Sequence, residues 1–322
     1  MHGGDVQMNQ KQRINNKCYK LSPWIFSLLF LLSTTVFADN TKEQAVTKIL
    51  EITDYEDSTL ALPSDVAVLD GKIYVVDGGN HRVVVFDMQG QYLFKFGGKG
   101  SENGQMNYPV GISASADNRV FVADSGNYRV QVFTARGHFQ SAFKITDGKK
   151  NIRPVDLILH SRTGHIFLTG SNNHSLMEYS HTGKFLRKWG GNGMNQGEFR
   201  YPATINELND GRIAVVDVLN SRVQVFNPDG SISMVVSEWG VLPGQLVRPK
   251  GVAIDKKGNF YISDSYMNLL QSFTETGDFI AVLGKKDKSS TLVTPVGLTI
   301  YKNKLFVVEM RAHRVSVYQL VN

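Results

Sequence analysis

Cysteine is nearly missing from this chain of 322 residues, with Cys18 the only one. Disulfide frameworks and thiolate zinc sites need at least two, so both are excluded, together with any RING-type zinc domain. Long apolar runs are missing as well. The longest, Trp24 to Ala38, falls short of the roughly eighteen residues a spanning helix needs. No low-complexity tract, P-loop, nucleophile elbow or His-Glu zinc motif occurs. Charge of one sign is not concentrated either. The formal net charge is +6, from 35 basic and 29 acidic residues, but residues 1–38 hold four basic residues and one acidic, so the remainder carries 31 against 28. The densest basic spot, Lys285 to Lys288, contains Asp287 and reads as a solvated loop, which leaves no run of nucleic-acid type.

What is present at the N-terminus is a basic segment, Lys11 to Lys20, then the apolar stretch ending Val36-Phe37-Ala38, then Asp39. That order predicts a secretory signal peptide over residues 1–38, cleaved after Ala38, and a periplasmic or secreted product with no membrane span after cleavage. An uncleaved N-terminal anchor is the other reading, and Met8 offers an alternative start. Cys18 precedes the apolar stretch, where a lipoprotein signal would need it afterwards. Cleavage would leave the mature chain free of cysteine.

Proline is scarce, nine in all, and six of the nine mark a period: Pro63, Pro109, Pro154, Pro202, Pro249 and Pro295. Successive spacings of 46, 45, 48, 47 and 46 residues announce a repeated supersecondary unit. Within the first copy, β-rich runs near 65–68, 72–76, 82–86 and 92–96 are separated by Asp70-Gly71, Gly78-Gly79-Asn80 and Gln89-Gly90, the pattern of a four-stranded antiparallel meander. The second and third runs (IYVV, VVVF) are apolar on nearly every residue, so both faces of the sheet are covered. Such sheets stacked around an axis make a propeller. The sixth copy ends after three runs, and residues 46–52 resemble a fourth run. The prediction is therefore an all-β, six-bladed β-propeller of four-stranded antiparallel blades over residues 39–322, its ring closed by the N-terminal strand completing the last blade.

The turns DGGNHR (Asp77 to Arg82), DSGNYR (Asp124 to Arg129) and DVLNSR (Asp217 to Arg222), with the linkers FGGKGSENGQMNYP (Phe96 to Pro109) and WGGNGMNQGEFRYP (Trp189 to Pro202), resemble NHL repeats. The resemblance implies a six-bladed propeller but not one function, because unlike functions share this fold. In animals such propellers serve as RNA- or protein-binding ends of ubiquitin-ligase proteins, and the ligase chemistry does not fit a chain without a RING domain. An amidating lyase also resembles this repeat, and its zinc histidines follow the blade prolines. The residues at that register here are Ser64, Val110, Val155, Ala203, Lys250 and Val296, none of them histidine, so that zinc site cannot be built. One position on stand Asp65, Gly111, Asp156, Thr204, Gly251 and Gly297. The lyase places a calcium-binding aspartate at this register, so the resemblance makes Asp65 and Asp156 candidates for Ca²⁺, against the alternative that each caps its own turn.

Arg82, Arg129, Arg222 and Arg314 follow Asp77, Asp124, Asp217 and Glu309 by five positions, a spacing suited to an ion pair across each turn or to a ligand-binding rim. Blades three and five break the pattern with Gly170/Ser175 and Asp264/Leu269. His81, His174 and His313 share one register just before the arginine position and read as solvated turn residues, since a blade-width separates them. Glu309 is also a candidate channel acid. These observations favour an exported, non-catalytic, monomeric binding propeller that takes a protein, peptide or glycan on its proline-turn face, with Arg82, Arg129, Arg222, Arg314, His81 and His313 as rim residues. Two alternatives stay open: a metal-dependent lyase or hydrolase working in the channel, and an RNA-binding propeller, which export suits poorly.

Overall fold

A computed structural model describes residues 43, 44, 46–56, 58–283 and 292–320 of the chain. The expected signal peptide and the Lys285 to Lys288 loop lie outside the described residues.

Six four-stranded antiparallel sheets follow one another along the chain. The second blade shows the unit: Pro109–Ala114, Arg119–Asp124, Arg129–Thr134 and Phe139–Lys144, in that order from the channel outward. Its second strand is apolar on both faces, and Val120, Phe121, Val122 and Ala123 are all buried. A sheet with two dry faces needs a neighbour on each side, and the apolar clusters show where it finds them. One cluster joins Val75 and Phe86 of the first blade to Phe306 and Val317 of the sixth, another joins Tyr74 and Val85 to Val122 and Phe133 of the second, and four more continue round the ring. The core is thus shared between blades, and no blade owns one.

Inner strands of the second to sixth blades begin on Pro109, Pro154, Pro202, Pro249 and Pro295, and each of these prolines is buried. A strand's first residue on the open inner edge is a position where a missing N–H costs no ladder bond. Directly afterwards the register slips: Pro109 faces Asp124 while Ile112 faces Val122, and the other blades repeat the irregularity. The extra residue is a β-bulge beside the channel, a device that re-aims side chains.

The sixth blade contains Pro295–Tyr301, Lys304–Glu309 and Arg314–Gln319, and Thr47–Ile52 pairs antiparallel with the last of these. This is the predicted closure by the N-terminal strand. The incoming chain also does something the repeat did not announce. Glu43–Gln44 lies parallel to Val282 and Leu283 as a fifth strand on the fifth blade, so the N-terminal segment laces two blades together.

Candidate functional site

The turn between second and third strands and the linker into the next blade share one face of the ring, the face on which the prolines lie. Buried acids organise it. Asp124 accepts from the backbone N–H of Asn107 (2.7 Å), from Asn127 Nδ2 (2.9 Å), Arg129 Nε (2.8 Å) and Gln131 Nε2 (3.1 Å), and its side chain is fully buried. Arg129 in turn donates to the carbonyls of Glu102 and Gln105, both at 2.8 Å, and so pins the linker. Asp217 with Arg222, and Asp77 with Arg82, repeat the clamp at 2.9 and 3.0 Å. Glu309 does the same with Arg314 (2.9 Å) and Ser316 Oγ (2.6 Å). Its place at the end of a second strand corrects the reading of Glu309 as a channel acid: it is a turn clamp, fully buried and spoken for. The four rim arginines accordingly spend their guanidinium groups on their own turns and linkers.

His81 is 7% exposed, and its Nδ1 accepts from the backbone N–H of Tyr108, the residue before the next blade's proline, at 2.9 Å. His174 holds Tyr201 in the same way (3.1 Å), and His313 holds Leu62 across the ring closure (3.1 Å). Asn268 Oδ1 does it for Thr294 (2.8 Å). The histidines are therefore latches between blades; His81 is buried rather than the solvated turn residue expected, while His313 keeps its exposure. Burial, first, and nearby lysines hold the pKa of His81 and His174 below the ordinary imidazole value. The latched residues Leu62, Tyr108, Tyr201 and Thr294 all have φ between 47° and 60°, a left-handed conformation that bulky residues before proline seldom adopt.

In the channel, Asp65 of blade one and Asp156 of blade three lie near enough for their carboxyls to act on one another, Asp156 against Gly111 of blade two and Asp65 against Gly297 of blade six. A Cβ on Gly111 would collide with the Val155 carbonyl and with Asp156. Asp65 accepts from the Ile112 N–H (2.9 Å), while Asp156 accepts from Leu157 (2.8 Å) and Ile205 (3.0 Å). Each acid thus caps an amide of the following blade. Burial pushes both carboxyls upward, and the charge of Asp156 adds to the rise at Asp65, so the pair retains a proton where isolated carboxylates have lost theirs. The pair bounds a cavity of about 180 Å³, further lined by Ser113, Thr204, Asn206 and Thr299. Calcium takes about six to eight oxygen ligands. No third acid, histidine or cysteine joins the two among the described residues, so a calcium ion here would have to displace the proton that burial favours and draw on hydroxyl and carbonyl oxygens.

The residues that sequence reasoning passed over stand just before the prolines: Leu62, Tyr108, Arg153, Tyr201, Arg248 and Thr294. Their rings and cations pair with the turn of the preceding or same blade. Tyr108 packs edge-on to His81 (4.5 Å) and Tyr201 to His174 (5.0 Å), while Arg153 lies over Tyr128 (5.7 Å) and Arg248 over Tyr266 (6.0 Å). The linker into blade five adds Trp239, 71% exposed, with Val241 and Leu242 beside it. Equivalent linkers anchor on a buried residue, Met106, Phe199 or Leu246, and carry Lys99, Asn192 or Trp239 opposite it. The signal was in the sequence, since one linker has tryptophan where its sisters have lysine and asparagine.

Comparison with known proteins fits this architecture. The NHL repeat family model matches residues 60–86 and 106–133. Over 136 residues the chain is 29% identical to Protein brain tumor of Drosophila melanogaster, covering 41% of this chain and 12% of that protein. It is 32% identical to the E3 ubiquitin-protein ligase TRIM32 of Homo sapiens over 136 residues, 38% of this chain and 20% of that one. The match therefore spans a fifth or less of these relatives. Among solved structures, a gluconolactonase from Xanthomonas campestris superposes with a TM-score of 0.61 at 16% identity, covering 80% of this chain and 86% of its own. A catalytically inactive virginiamycin B lyase from Staphylococcus aureus, with quinupristin, gives 0.60 at 12% identity and 80% of each chain. At these identities the likeness is one of fold. With four-stranded blades closing a ring of six, the chain is a six-bladed β-propeller that carries NHL repeats over residues 60–86 and 106–133.

Proposed function

We propose that this propeller is an exported, monomeric binding module that receives a polypeptide partner on its proline-turn face. The observation that carries the reading is the distribution of exposed apolar side chains. Of fourteen large hydrophobic residues exposed among the described residues, ten lie on the linkers and turns of this one face, and the other four sit on outer strands. Blades four and five hold half of the ten, in Leu219, Trp239, Val241, Leu242 and Tyr266, with Met194 on the linker into blade four. Contiguous exposed apolar surface marks interaction sites, and tryptophan, tyrosine, methionine and arginine are the side chains that dominate protein interfaces. The arginine clamps and histidine latches support the reading indirectly, because they hold this face rigid and cut the ordering cost of binding.

Photo-crosslinking in the producing cell tests it. A photoreactive phenylalanine placed at Trp239 or Tyr201 is expected to capture a discrete partner, whereas one at Leu93 or Phe185 on the outer strands is not. Capture from the outer strands alone would overturn the reading. The channel acid pair favours a second reading, a metal-dependent lyase or hydrolase, and a stoichiometric metal in elemental analysis of the purified protein would move weight to it.

A further inference from the structure

Blade five departs from its sisters in a way that sets two cations, Arg248 and Lys250, on either side of its proline. Leu269 takes the place of the clamp arginine, and Asp264 turns its carboxylate to the N–H groups of Val247 (2.7 Å), Arg248, Tyr266 and Met267 (each 3.0 Å). Lys250 follows Pro249 at the bulge of the inner strand, the register filled elsewhere by Ser64, Val110, Val155, Ala203 and Val296. Burial, first, and the neighbouring Arg248 hold its ammonium below the ordinary lysine range, the opposite of what a carboxylate partner would do. Neither Lys250 nor Arg248 forms an ion pair among the described residues.

A half-buried ammonium beside a guanidinium is costly unless an anion compensates both. An incoming carboxylate would remove the repulsion and recover the lost solvation as charge-assisted hydrogen bonds. The exposed Arg248 lies over Tyr266, and Trp239, Val241 and Leu242 come from the same linker. We propose that Lys250 and Arg248 anchor a carboxylate of a bound acidic peptide, whose flanking apolar side chains rest on Trp239, Leu242 and Tyr266. The proposal rests on the reading of this face as a polypeptide-binding surface and adds the chemistry of the partner.

The test is a random twelve-residue peptide array probed with the intact protein, printed with free or amidated C-termini and with Asp and Glu present or replaced by Asn and Gln. Binding peptides are expected to require a carboxylate, and the two arms separate a side-chain acid from a terminal one. Lys250→Met should weaken their binding about 10- to 100-fold, as loss of a charge-assisted contact does. Lys250→Arg should retain part of it. In the wild type, bound peptide should raise the Lys250 pKa, read from the ¹³C shift of its ε-carbon, a measurement that needs no variant. Binders that ignore both carboxylate and Lys250→Met but fail with Trp239→Ala overturn the anchor and leave the face standing. Binders indifferent to all three, or no binder up to about 1 mM, overturn both.

Discussion

A ring nitrogen that accepts a backbone hydrogen must be unprotonated, and this makes the interblade latches sensitive to acid. His81 and His174 have folded pKa values depressed below the ordinary ~6.5. Their contribution to stability is therefore whole above that value and is lost as pH falls through the lower folded one. Blade five already performs the same task with Asn268, which does not titrate. Replacing His81 and His174 by asparagine is thus expected to keep the melting temperature at pH 7.5 nearly unchanged and to flatten its fall between pH 6.5 and 5. Alanine at either site should cost about 1 kcal/mol at pH 7.5 and progressively less as acid releases the wild-type latch. An acid limb of undiminished steepness in the asparagine double variant would locate the sensitivity elsewhere. The channel acids work in the opposite direction. Burial raises both carboxyls, Asp156 to about 7, so their contribution is present at low pH and is lost as pH rises through the folded values. Asp156→Asn, which cannot ionise, should flatten the decline in melting temperature as pH rises from about 4 to about 7. Thermal melts at pH 8 with calcium or chelator belong to the same series. Stabilisation by calcium that Asp156→Asn abolishes would make the pair a cation site, and indifference would leave it a pair of buried amide-capping acids.

The clamp turns that recurring spacing into rigidity. Asp124 gathers four donors from a turn, a strand and the preceding linker while wholly removed from water, and it leaves Arg129 paired at 2.8 Å. Removing one partner of a buried pair strands the other, so Asp124→Ala is expected to lower unfolding stability by about 3–5 kcal/mol. Chemical denaturation checks this, and a loss below about 1 kcal/mol would mean that the linker holds itself. The clamp was legible in the sequence because its acid and arginine lie five residues apart in one turn. The latch was not, because His81 and Tyr108 are 27 residues apart on different blades, and a histidine read inside its own turn has only solvent for company. The same blindness hid the acid pair. Asp65 and Asp156 were recognisable as sharing a register, but that they line one channel closely enough to act on one another follows from the ring. Tyr108, Tyr201, Arg153 and Arg248 were visible as a variable position before an invariant proline, and only the ring showed that they share one rim.

At the level of the whole molecule the six shared cores mean that no blade is stable alone, and the weakest seam is the one that covalent connectivity does not cross. Blade six ends its own sequence with three strands, and Thr47–Ile52 supplies the fourth. Proline spacing and the short last copy were sufficient to predict this closure. The additional pairing of Glu43–Gln44 with Val282 and Leu283 was not, since two residues in a parallel bridge carry no period. Ile52, Tyr55 and Leu60 bury their side chains in the cluster shared by blades six and one, and His313 latches Leu62 across the same seam. Deleting residues 41–60 therefore exposes an edge strand, empties part of a core and removes a latch's neighbour at once. A ring of nearest-neighbour interfaces loses its closure when one interface fails, so the deletion should lower the melting temperature of the entire propeller cooperatively, by well over 10 °C, because even ~3–5 kcal/mol is a large share of a domain's stability. Amide exchange should then quicken in blades one and six first and spread to the others. A truncated protein that melts at the wild-type temperature, or loses protection only in blade six, would show that the ring stands without its closing strand.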